Sequence, residues 1–80
     1  MNEHTEKQLI EFMSILIALG LSETEILGIC SMLETEDMLF EMLDKMKEKD
    51  FKLTPQETMN ICGRVIKAHL SDKNTFQEEI

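Results

Sequence analysis

Apolar residues recur at helical spacing along most of this chain. Met38, Leu39, Met42, Leu43 and Met46 follow i, i+1, i+4, i+5, i+8 and share one helix face. Met59, Cys62, Val65, Ile66 and His69 line a second segment on one side, with Arg64 and Lys67 turned away. Ile26, Ile29, Cys30 and Leu33 make a third stripe, with Leu27 and Met32 on its flanks. The first segment is richer. Leu9, Ile10, Met13, Leu16 and Ile17 already fill a core face, and Phe12, Ile15 and Leu19 add a second strip beside it. A helix apolar over most of its circumference is buried on more than one side.

Start and stop signals divide these stripes into elements. Thr5 with Gln8, Ser22 with Glu25 and Thr54 with Glu57 each have the capping-box spacing, in which hydroxyl and carboxylate or amide satisfy orphan backbone N–H groups. Pro55 suits the first helical position, and Leu21 with Ile26 forms a hydrophobic staple around Ser22. Thr35 is a weaker N-cap, followed by Glu36 and Asp37 where the helix dipole favours negative charge. Gly20 suits a left-handed residue after a helix end, and Lys45, Lys47 and Lys49 crowd the end of the third segment. The expected fold is all-α, a compact bundle of about four short helices over 5–19, 22–33, 36–49 and 55–70. Residues 1–70 form one domain, and 71–80 read as a polar, frayed tail. Whether the second and third helices form one rod across Glu34–Thr35 stays open.

Leu21 to Cys30 also echoes Leu53 to Cys62, with matches at Leu, Glu, Ile and Cys and a Ser-to-Thr exchange. Two similar helical hairpins would produce this, and so would capping boxes on amphipathic helices by themselves.

Composition narrows the function more than it names one. The 80 residues are 42% hydrophobic, dense enough in apolar atoms for a small core, and carry a formal net charge of −8. That balance disfavours direct attraction to nucleic acid or anionic lipid and suits solubility or a basic protein partner. The first eight residues are polar without a basic stretch, and Leu9–Leu19 is too short to span a bilayer, so a cytoplasmic setting is expected. Cys30 and Cys62 read as small buried hydrophobes in a reducing compartment.

Two local resemblances arise around the first turn. Ile15 to Ile29, with Gly20 in the turn and Ile26 and Ile29 beyond it, resembles a helix-turn-helix, although Leu16 stands where that motif usually has alanine. The resemblance implies a recognition helix over 22–33, yet that segment contains no Arg, Lys, Asn or Gln and leads with Glu23 and Glu25. The same stretch resembles ubiquitin-associated three-helix modules, with Leu19-Gly20-Leu21-Ser22 as the loop and Met38 to Leu43 in the third helix. That likeness covers about half the chain, lacks an aromatic after the Gly, and is one of fold, which assigns no function.

Catalytic and metal readings find little support. Cys62 and His69 are seven residues apart, roughly 10 Å along a helix, too far for a direct bond. The positions of the two His and two Cys match no zinc spacing, and neither a phosphate-binding glycine loop nor a calcium loop is present. His69 reads as a packed, hydrogen-bonded histidine. The expectation is therefore a non-enzymatic protein without cofactor, metal or small-molecule substrate, which interacts through an apolar helical face made of Phe12, Ile15, Leu19, Leu27 and Met32, with Phe40 as an outlier. Its partner is a second copy, giving a homodimer, or another protein. Two alternatives stand beside it: an acidic inhibitor that occupies the basic groove of a nucleic-acid enzyme, and a helix-turn-helix regulator.

Overall fold

The computed structural model describes the backbone of residues 3–78 and the side chains of residues 3–71. It holds four helices, α1 (Glu3–Ala18), α2 (Glu23–Ser31), α3 (Glu36–Glu48) and α4 (Pro55–Glu78), and among the described residues no strand. The all-α small bundle is thus the fold. The helices meet as α1 against α2, α3 against α4, and α1 against α3, with α3–α4 the most extensive contact. This is the pattern of two helical hairpins joined through their first members. The chain is 43 Å along its long axis.

Most ends follow local chemistry. Ser22 caps α2 with a full capping box: its Oγ accepts from the Glu25 N–H at 3.2 Å, and its own N–H donates to Glu25 Oε1 at 2.8 Å. Thr54 and Glu57 repeat the arrangement at 3.1 and 2.9 Å, with Pro55 opening α4. Thr35 caps α3 through the Met38 N–H, so α2 and α3 are separate helices. The Glu25 and Glu57 carboxyls lie below their ordinary value of 4.5, first because of the hydrogen bonds from the Ser22 and Thr54 backbones. A carboxyl lowered on folding stabilises the fold above its unfolded value and loses that contribution as pH falls through the folded value. Glu25→Gln and Glu57→Gln should therefore each be less stable than the parent at neutral pH, and the deficit should shrink as pH falls through the folded carboxyl values, read as denaturant midpoints by helical circular dichroism. A deficit of the same size in acid and at neutral pH would show that the carboxylates are not what acid removes.

α1 and α3 stop in the same way. Leu21 N–H reaches Leu16 C=O and Gly20 N–H reaches Ile17 C=O, at 3.1 and 3.0 Å; Phe51 N–H reaches Met46 C=O and Asp50 N–H reaches Lys47 C=O, at 3.0 and 2.8 Å. Each is a Schellman motif, which requires a left-handed residue just past the helix. Gly20 takes that position in the first, with φ +95°, and lies against Pro55, whose Cγ would be 3.3 Å from an added Cβ. In the second, Asp50 stands where glycine is the ordinary choice, and Phe51 is left-handed as well, both at φ 57°. Asp50→Gly should raise stability by about 0.5–1 kcal/mol, because glycine carries no Cβ penalty there. An unchanged or lower denaturant midpoint would show that the turn holds Asp50 without strain.

Two expectations are corrected. Thr5 does not cap α1, which begins at Glu3; it is buried within the first turns, and its Oγ1 donates to Glu36 Oε1 at 2.6 Å, pinning α1 to the start of α3. The fourth helix, expected over 55–70, runs on through Glu78. The stretch Ser71-Asp72-Lys73-Asn74 holds neither glycine nor proline, and polarity alone does not end a helix. Residues 79–80 of the expected tail lie outside the described residues.

The core is built from Phe12 and Leu16 of α1, Leu21 of the first turn, Ile26 and Ile29 of α2, Met38, Leu39, Met42 and Met46 of α3, and Cys62 and Val65 of α4. The α3 methionines are core, as their spacing indicates, rather than a binding stripe.

Candidate interaction surface

The rotation of α1 decides which apolar residues are left over. Thr5, Leu9, Phe12, Leu16 and Leu19 follow i, i+4, i+7, i+11, i+14, and this row faces inward: Thr5, Phe12 and Leu16 are buried, and Leu9 and Leu19 pack partly buried against the core. The face turned outward carries Ile10 and Ile17, each 64% exposed, with half-buried Met13 between them.

The six residues expected to form one interface are thus divided. Phe12 is fully buried and belongs to the core, which corrects its assignment to the partner face. Leu19 is half-buried against the same core, and Ile15 and Phe40 are half-buried at the α1–α3 junction. Ile15, Phe40, Leu43 and Phe51 line a groove of about 400 Å³ there, mixed with Gln8, Glu11, Asp44 and Lys47. Leu27 is 55% exposed and Met32, at the C-cap of α2, 43%. Only Leu27 joins a predominantly apolar groove, of about 410 Å³, whose other walls are Met13, Ile17, Leu21, Ile26 and Glu23. A surplus of apolar surface on the first two helices is present, on the opposite edge of α1 from the one expected. Ile10, Met13 and Ile17 are the residues that edge brings forward.

A third groove, of about 340 Å³, lies between α2 and α4 over Ile29, Met59, Cys62 and Ile66. Gly28 and Gly63 flank it, and a Cβ on either would meet nothing within 4 Å.

Charge is segregated, a feature that the net value conceals. Ten of the sixteen acids precede Lys45, where Lys7 is the one basic residue; six of the eight bases lie in 45–67, among three acids. Glu23 stands on the wall of the α1–α2 groove itself. Repulsion from a polyanion therefore falls mainly on α1, α2 and the start of α3, not evenly over the molecule.

The reactive groups are held quiet. Burial pushes both thiols up, Cys62 to about 11 with a further contribution from neighbouring Cys30. A protonated thiol is a poor nucleophile. His69 Nε2 lies 2.9 Å from Glu41 Oε2, joining α4 to α3, which makes it the packed, hydrogen-bonded histidine expected. Among the described residues no group of three or more His, Cys, Asp or Glu is placed to hold a metal ion, and no helix is long and apolar enough to cross a membrane.

A family model described as RNA polymerase Rpb2, domain 2, matches residues 2–80. No curated protein and no solved structure matches the chain.

Proposed function

The chain belongs to the RNA polymerase Rpb2 domain 2 family, and from that premise we propose that it acts as a non-catalytic protein-interaction module in an RNA-polymerase context. A unit named as the second domain of a polypeptide is one whose surfaces meet other protein. The observation that carries the reading is the outward apolar row of exposed Ile10 and Ile17 with half-buried Met13 between them, continued by exposed Leu27 on α2. The core assembled from all four helices leaves Ile10 and Ile17 of that row outside it. The raised thiols and the His69–Glu41 bond support a scaffold rather than a catalytic role.

The family context brings nucleic acid into the vicinity, and the segregated charge leaves the end of α3 and the exposed side of α4 without the acidic excess of α1 and α2. The module reading therefore makes no demand that nucleic acid be far away. It does require protein contact.

The test is affinity purification of the tagged chain from its own host, with mass spectrometry of what co-purifies. RNA polymerase subunits among the recovered proteins would support the reading. Recovery without any polymerase subunit would overturn it.

A further inference from the structure

We infer that the groove between α1 and α2 is a docking site for an amphipathic helix of a protein partner, one with an apolar stripe and basic residues toward both of its ends. The inference deepens the module reading above and rests on it.

The groove has the form that a helix fills. Its walls are Met13 and Ile17 of α1, Ile26 and Leu27 of α2, and Leu21 between them, so it runs along the seam of two helices already in contact. Ile10 extends it by two turns from Ile17, roughly 10 Å. An incoming helix presenting residues at i, i+3 or i+4 and i+7 covers that length and packs ridges into the seam as a third helix would.

Charge selects the occupant. Glu3, Glu6, Ile10, Met13 and Ile17 form a single row at i, i+3, i+7, i+10, i+14, so the apolar part of α1 continues into two exposed carboxylates. At the other end the groove closes on Glu23. Lys7, the one base on α1, lies one residue off the row. An apolar floor with acids at both ends complements a helix with Lys or Arg flanking its apolar stripe. A second copy of the chain joined groove to groove would set Glu3, Glu6 and Glu23 near their own counterparts, and like charges there oppose that pairing.

The other grooves carry less. The one between α1 and α3 is lined by both charges and by half-buried side chains that already serve the core. The one between α2 and α4 has open space beside two glycines and no charge pattern that chooses an occupant.

The probe is a fluorescein-labelled synthetic helix with leucines at i, i+3, i+4 and i+7 and lysines at both ends, titrated with the full chain by anisotropy. A second probe replaces the lysines with glutamates. The lysine probe should bind at least about tenfold more tightly than the glutamate probe, a difference of about 1.4 kcal/mol, and weaken as salt is raised. Ile17→Asp and Leu27→Asp should each weaken it by at least about tenfold with helical circular dichroism unchanged, while Met32→Asp, outside the groove, should leave it intact. Equal affinity for the two probes, no measurable binding, or indifference to Ile17→Asp would overturn the assignment, as would a dimer in light scattering that Ile17→Asp dissolves. The host purification separates the two readings. Polymerase subunits retained by Ile17→Asp would remove the groove and keep the module, whereas probe binding with no polymerase recovered would remove the polymerase context and keep the groove.

Discussion

Replacing Phe12 with alanine is expected to destabilise the protein by about 3–5 kcal/mol, the range for truncating a fully buried phenylalanine. Phe12 has no exposed surface, and it belongs to the same buried cluster as Leu16, Leu39 and Met42. Its removal leaves a void at the centre of a chain whose total stability, by size, is on the order of 4–12 kcal/mol. The variant should therefore unfold at much lower denaturant or remain partly unfolded at ambient temperature. Ile17→Ala makes the comparison informative. Ile17 is also a large apolar residue of α1, but it is 64% exposed, so its truncation should change stability by less than about 1 kcal/mol. Chemical denaturation of both variants distinguishes the two faces of one helix. Similar losses in both, or a negligible loss in Phe12→Ala, would mean that α1 is not rotated as described.

That contrast also shows where sequence reasoning reached its limit. Capping boxes at Ser22 and Thr54, the stop at Gly20 and the stripe of α3 were legible because each depends on residues within about one or two turns of one another. The rotation of α1 does not have that property. With apolar residues at positions 9, 10, 12, 13, 15, 16, 17 and 19, several faces have nearly equal hydrophobicity, and periodicity cannot choose among them. What chooses is tertiary: the buried row of Thr5, Phe12 and Leu16 faces the rest of the bundle, and Thr5 bonds Glu36, thirty-one residues away. The candidate site follows the rotation: Leu27 and Met32 lie exposed, Phe12 lies in the core, and Ile10 and Ile17 turn outward. The α3 stop has a similar lesson. Its Schellman geometry repeats that of α1 with Asp50 in the glycine position, and no composition rule points to Asp50-Phe51 as a pair of left-handed residues.

Alkaline pH should destabilise the protein through Cys62. Its thiol is pushed up from 9.0 to about 11 by burial first and by Cys30 second. The sign follows from proton linkage: below pH 9 the thiol is protonated in both states, and folding is indifferent to pH. Above that value the unfolded thiol ionises while the folded one resists, so the unfolded state is favoured progressively until the folded thiol ionises too. The window thus opens near 9 and closes near 11. Moving from about pH 8 to about pH 10.5 should remove about 2 kcal/mol of stability through this group alone. Cys62→Ala isolates the effect. It lowers stability at every pH by leaving a small void beside Val65 and its neighbours, but its pH dependence over the same window should be shallower than the parent's by about that amount. Lysine deprotonation enters both proteins alike and cancels in the difference. Cys30, only half-buried, should react with a thiol reagent at pH 8 well before Cys62 does, and modification of Cys62 should follow the rate of unfolding. Parallel pH profiles for parent and variant, or rapid labelling of Cys62 in the folded protein, would place that thiol in contact with water and remove it from the core.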